Sequence, residues 1–142
     1  MRTLRDRIRH MIMFELLLVV ICTPLLSFIL QREMSQVGGL TLGLSLAAML
    51  SNLAYNYYFD RLLLALHRPL YPRSLGLRVM HSVVFELILL VVLVPIIMVW
   101  MGYGFLQAVA LELGFAVLVP VYALGFNWGY DLVFPAPAVR EP

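Results

Sequence analysis

The sequence predicts an all-α membrane protein in which four transmembrane helices form two helical-hairpin repeats of parallel orientation. Three observations predict it. Of the 142 residues, 63% are hydrophobic and only 13% charged, with a mean hydropathy of +0.94; a soluble domain carries about 45–50% apolar and about 25% charged residues. Four apolar stretches each approach the roughly 20 residues that a helix needs to cross a bilayer. One pattern, R-x-x-H-x-x-x-F-E, is written twice, as Arg7, His10, Phe14, Glu15 and, 71 residues later, as Arg78, His81, Phe85, Glu86.

The first span, Ile8–Leu30, follows a cluster of arginines. It is longer than the apolar core of a secretory signal, about 7–15 residues, and no small-residue cleavage site follows it, so it is expected to stay in the membrane. Its Cys22, the only cysteine, reads as a small buried hydrophobe. Gln31-Arg32-Glu33 with Gly38-Gly39 is expected to connect it to the second span, Leu40–Leu66. The third and fourth spans, Val79–Met101 and Phe105–Leu132, are expected to turn at Gly102-Tyr103-Gly104. Residues 1–66 thus form a first helix pair, 67–78 a linker, 79–134 a second pair and 135–142 a proline-bearing tail that cannot continue a regular helix.

Orientation follows from the arginines, since the chain has no lysine. Arg2, Arg5, Arg7, Arg9, Arg61, Arg68, Arg73, Arg78 and Arg140 fall on one side of the spans and Arg32 alone on the other. Basic residues favour the cytoplasmic side, so both termini and the central linker are expected there. The two hairpins then point the same way and are related by an axis along the membrane normal. The net charge of +2 follows from this asymmetry and implies no nucleic-acid partner.

The repeat extends beyond the motif. Leu16, Leu18, Val20 and Pro24 match Leu87, Leu89, Val91 and Pro95 at the same offset. The second and fourth spans match at an offset of 75, pairing Asn52 with Asn127, Tyr55 with Tyr130, Asn56 with Asp131 and Phe59 with Phe134. Pro24 and Pro95 fall mid-span, where proline kinks a helix and can serve as a hinge.

Each motif copy carries a glutamate into an apolar run. A charged side chain at the bilayer centre costs about 2.5–3.5 kcal/mol on insertion scales, and such residues are usually functional. Glu15 lies on the order of 6 Å inside the edge of its span, and Arg7 and Arg78 can hold their guanidinium groups at the headgroups. Lost hydration penalises the charged carboxylate, whereas a bound cation or a nearby arginine favours it. A site shared by a proton and an organic cation couples their binding by competition, which is the physical basis of an antiporter. The competing reading makes Glu15 and Glu86 helix-packing groups bonded to Asn56, Asn127 or tyrosines.

His10 and His81 fit either proton shuttling or a structural hydrogen bond. The stripe Asn52, Asn56, Asp60 and its counterpart Asn127, Asp131 suits interhelical hydrogen bonding or direct handling of cargo and protons. Tyr55, Tyr57, Tyr58, Phe59, Trp128, Tyr130 and Phe134 suit mainly an interfacial aromatic belt, and otherwise the binding of a delocalised cation. Glu112, the third embedded acid, has no partner in the first hairpin, where the offset of 75 points to Val37. It fits either an outer proton acceptor or a residue at the membrane interface. Metal-ligand spacings, phosphate-binding glycine loops and a credible nucleophile triad are absent, so nothing points to an enzyme.

The doubled R-x-x-H-x-x-x-F-E, with N-x-x-Y-N-x-x-F-D at Asn52–Asp60 and N-x-x-Y-D-x-x-F-P at Asn127–Pro135, resembles the proteobacterial antimicrobial compound efflux family with its tandem bacterial transmembrane pair. The resemblance covers nearly the whole chain. It implies an inner-membrane, proton-coupled exporter of hydrophobic cationic biocides such as chlorhexidine, of cationic dyes, or of short diamines. It also implies that Glu15 is the residue most tied to proton coupling. Ser51 and Phe126 stand where the family commonly has tryptophan. The expected protein is driven by the proton gradient without a cofactor, and is a homodimer or a monomer–dimer equilibrium, because four helices enclose little volume. A non-transporting structural or sensor protein and a passive cation channel lined by the Asn/Asp stripe are the alternatives.

Overall fold

In a computed structural model, which describes residues 4–67 and 74–135, the chain forms four α-helices and, among those residues, no strand. They are α1 (Leu4–Leu30), α2 (Met34–Ala65), α3 (Leu75–Met101) and α4 (Phe105–Val133). Each is long and apolar enough to cross a membrane. Arg2, Arg68, Arg73 and Arg140, most of the expected linker and the tail from Ala136 onward lie outside the described residues.

The helix ends follow from local chemistry. α1 stops because Gln31 takes a left-handed conformation (φ 51°), which lets Arg32 N–H donate to the Ser27 carbonyl at 3.1 Å. Ser74 caps α3, its hydroxyl accepting from Leu77 N–H at 3.3 Å. Gly102 closes the other end at φ 68°, where a side chain would be strained. At the start of α4, Gln107 reaches back to accept from Gly104 N–H at 3.1 Å, in the manner of a capping box.

One expectation is corrected. Gly38 and Gly39 are not in the first connection but inside α2, which begins at Met34. A Cβ added at Gly38 would lie 3.4 Å from Thr23 Oγ1 and 3.5 Å from Thr23 Cγ2, so the missing side chain brings the start of α2 close to α1. Glycine here serves packing, and its turn propensity is overridden. Helices α1 and α3 run through Pro24 and Pro95, and α4 runs through Pro120, which has no proline counterpart in α2.

The chain packs as two compact units. Unit 1 comprises Met1–Thr41 with Gly114–Pro142, and unit 2 comprises Leu42–Leu113. The packing units therefore differ from the sequence repeats. In unit 1, α1 packs against α4, around a core of Leu18, Cys22, Leu26 and Val37 with Phe14, Leu118 and Tyr122 beside it. In unit 2, α2 packs against α3, where Tyr55, Phe59 and Leu63 meet Leu77, Phe85 and Ile88. Many other large apolar side chains, such as Phe28, Val99 and Leu106, are exposed and suit lipid contact.

Candidate functional site

Each unit brings one R-x-x-H-x-x-x-F-E copy onto the Asn/Tyr motif of the other sequence repeat. In unit 1 the α1 copy meets α4. Aromatic residues recur every fourth position along α4 and at the residue just past it, at Tyr122, Phe126, Tyr130 and Phe134. This spacing puts them on one face. His10 and Phe14 of α1 interlock with that ladder. The His10 ring lies edge-on to Phe126 and Tyr130, with centroids at 5.0 and 4.6 Å, and Phe14 meets Tyr122 and Phe126 at 5.0 and 5.2 Å. The Tyr122 hydroxyl donates to the Phe14 carbonyl at 2.7 Å.

His10 Nε2 lies 2.8 Å from Asn127 Oδ1. These two residues, with Arg7 and Asp131, line a cleft of about 290 Å³. Nearby, Arg9 pairs with Asp6 and donates from Nε to the Tyr130 hydroxyl at 3.0 Å, while that hydroxyl donates to Asp6 Oδ1 at 2.8 Å. The Arg9 guanidinium also lies over Phe134, 3.7 Å from the ring centroid. Glu15 is part-buried, five residues and so roughly 7.5 Å along the helix from His10.

In unit 2 the α3 copy meets α2, with a different surface chemistry. Tyr55 stacks on Phe85 at 5.5 Å and donates from its hydroxyl to the His81 carbonyl at 3.0 Å. The His81 ring sits 4.7 Å from Tyr55 and 4.5 Å from Phe59. Where unit 1 has Asp6 and Arg9, the equivalent positions here hold Leu77 and Met80. Asn56 donates to both the carbonyl and Oδ1 of Asn52, each at 2.9 Å, so this amide is engaged within its own helix. Its counterpart Asp131 has no amide to donate, which leaves Asn127 available to His10. Asp60 is part-buried and Arg78 exposed.

The structure thus groups Arg7, His10, Asn127 and Asp131 at one cleft of unit 1, while Asn52, Asn56 and His81 belong to unit 2. One sequence expectation changes. Tyr55, Phe59 and Tyr130, 9%, 6% and 4% exposed, belong to the packed interior and not to an aromatic belt. Tyr57, Tyr58 and Trp128 are exposed as a belt requires. Glu112 is buried against the protein, 2% exposed. Asp6, Arg9 and Tyr122 were not singled out by motif. The every-fourth-residue aromatic spacing of α4 and the i, i+3 opposite charges of Asp6 and Arg9 are the signals that carry them.

A membrane protein of four helices in tandem pairs, with its polar groups gathered around a cleft and embedded acids, falls in the class of small multi-pass transporters. The sequence matches the family described as chlorhexidine efflux transporter over residues 2–65 and again over residues 73–136. The chain therefore belongs to the chlorhexidine efflux transporter family, the proteobacterial antimicrobial compound efflux proteins, as a tandem of two such domains. It is similar to a short-chain diamines transporter of Vibrio parahaemolyticus, 37% identical over 98% of this chain and 97% of the relative. It is also similar to proteins of the same description in Acinetobacter baumannii, 31% identical over 89% of this chain and 86% of the relative, and Acinetobacter baylyi, 27% identical over 91% and 89%. No solved structure matches it. Membership makes the protein a membrane transporter and not an enzyme, located in the bacterial inner membrane, and sets aside the structural or sensor alternative.

Proposed function

We propose that the protein exports short-chain diamines or hydrophobic cationic biocides and dyes in exchange for protons. The observation that carries this reading is the cleft of unit 1, where Arg7, His10, Asn127 and Asp131 present a mixed-charge, hydrogen-bonding surface beside an aromatic ladder, with Glu15 deeper on the same helix as Arg7 and His10. An ammonium group is bound by carboxylate and amide oxygens, and its alkyl or aromatic body by the rings. In this reading the cation is loaded from the cytoplasm, where both termini lie, and passes to Glu15 as that carboxylate releases its proton. Protonation of Glu15 from outside then displaces the cation outward. Glu86 and His81 perform the equivalent step in unit 2 through a more apolar surround. Asn56 holds Asn52 in place, and the arrangement works without a cofactor, as a homodimer or in a monomer–dimer equilibrium.

The similarity to diamine transporters supports short diamines, and the family description supports biocides. In everted vesicles with an imposed pH gradient, wild type is expected to accumulate ethidium or putrescine, and Glu15→Gln to lose this at unchanged membrane abundance, by at least the ~10²-fold typical of removing a proton-transfer group. Normal transport by Glu15→Gln would sink the mechanism. Flux that follows the cation gradient without proton movement would indicate a channel.

A further inference from the structure

Arg9 is a cation that unit 1 already holds, and the groups around it are those that bind an organic cation. Its guanidinium pairs with the Asp6 carboxylate, donates from Nε to the Tyr130 hydroxyl at 3.0 Å, and lies over Phe134, 3.7 Å from the ring centroid. The Tyr130 hydroxyl donates in turn to Asp6 Oδ1 at 2.8 Å, so carboxylate and phenol are tied together without the arginine. A carboxylate, a hydroxyl oxygen and an aromatic face together suit a primary ammonium as well as a guanidinium. The other repeat lacks this set. Leu77 and Met80 stand at the places of Asp6 and Arg9, and the Tyr55 hydroxyl is committed to the His81 carbonyl.

This cluster adjoins the cleft through Tyr130. His10, which lines the cleft, packs 4.6 Å from the centroid of that ring, and the Arg9 guanidinium carbon lies 5.7 Å from the same centroid. The two carboxylates stand at opposite ends of one tyrosine, Asp131 beside its backbone and Asp6 on its hydroxyl. A short alkyl chain with an ammonium at each end suits such a pair. Arg9 is also free to leave. Its side chain is 45% exposed, and an i, i+3 ion pair open to water is weak. So near the start of α1 its stem can carry the guanidinium out to the lipid headgroups. A diamine with one end in the cleft delivers its other end to Asp6 at high effective concentration.

We propose that Asp6, Tyr130 and Phe134 form a second ammonium subsite, beside the cleft of Arg7, His10, Asn127 and Asp131, which Arg9 fills until a diamine displaces it. Arg9 is thus an internal competitor of the cargo. It holds the subsite against single ammonium groups, which lack the anchor in the cleft, and yields it to a dication. The proposal rests on the diamine reading above.

The test is equilibrium binding of radiolabelled putrescine to the purified full-length protein, with butylamine, its single-ammonium analogue, as competitor. Wild type is compared with Arg9→Gln, Arg9→Lys, Asp6→Asn and Arg5→Gln, and thermal unfolding checks each fold. Arg9→Gln is expected to bind putrescine roughly three- to tenfold tighter, with a smaller gain for butylamine, because the competitor is gone. Arg9→Lys keeps the charge and is expected to keep the competition. Asp6→Asn is expected to lower the preference for putrescine over butylamine by a similar factor. Arg5→Gln removes the same charge from the same helix end, on an exposed residue, and is expected to leave that preference unchanged. Putrescine binding by Arg9→Gln that is no tighter than wild type overturns the subsite and leaves Arg9 a structural tie. An equal gain in Arg5→Gln overturns it too, since the effect is then one of overall charge. Should Arg9→Gln not fold, an unchanged preference in Asp6→Asn overturns the subsite by itself. Wild type that binds no putrescine overturns the diamine reading together with the subsite, whereas binding that the variants do not alter overturns the subsite alone.

Discussion

Tyr130 joins α4 to α1 through one hydroxyl, which accepts from Arg9 and donates to Asp6 while its ring packs on His10. Its counterpart Tyr55 uses the same hydroxyl on a backbone carbonyl of α3. The two tyrosines thus share burial but not partners. Tyr130→Phe is expected to lower stability by about 1 kcal/mol, since the ring stays and the hydrogen bonds go. Tyr55→Phe loses one bond to a neutral carbonyl and is expected to cost less. Thermal unfolding of the purified variants checks the order, and a larger loss for Tyr55→Phe would contradict it. At this scale the motif residues were legible, because arginine, histidine and glutamate in an apolar helix are conspicuous. The tie of Tyr122, Asp6 and Arg9 across the α1–α4 contact was not, because Phe14 lies 108 positions from Tyr122 and Tyr130 more than 120 from Asp6 and Arg9, and the local spacing of each residue names no such partner.

Hydropathy located all four helices, and the end of the third span and the start of the fourth agree with α3 and α4, while α3 begins at Leu75, inside the expected linker. The start of α2 escaped it. A glycine pair reads as a turn from composition, and only the approach of Thr23 shows that Gly38 is there to let helices touch. Gly38→Ala is expected to be nearly neutral, because its Cβ would make ordinary contact at 3.4 Å. Gly38→Val adds carbons with no space to occupy, and is expected to destabilise by about 1–3 kcal/mol, as overpacking does. A thermal shift series across glycine, alanine and valine tests this, and equal melting temperatures for all three would show that the α1–α2 approach is not tight. The burial of Glu112 likewise shows only in the packing, because its place seven residues into α4 names no neighbour.

The duplication was legible at the scale of the molecule, from a motif repeated at one offset and spans matched at another. Which helices pair was not, since hydropathy carries no information on partners. The structure pairs α1 with α4 and α2 with α3, so the polar cluster of each unit draws on both repeats. A chain cut within residues 68–73 is therefore expected to work when both pieces are made together, and to fail when either is made alone. Transport driven by a pH gradient in vesicles from such strains is the measurement. Activity from a single piece would show that one repeat can complete a unit without the other.

The hydrogen bonds that close unit 1 join residues 108 to 124 positions apart. During synthesis α1 emerges first and its partner last, so at about 5–20 residues per second α1 waits on the order of ten seconds for α4. Throughout that interval Glu15, His10 and the Asp6–Arg9 pair have no α4 to receive them. A ribosome stalled, or a message truncated, before the codons for residues 122–134 would leave α1, α2 and α3 with only the first part of α4, and the polar end of α1 without its partner. Such a product is a natural substrate for membrane quality-control proteases, and the gene's last forty codons carry as much of the folding burden as its first.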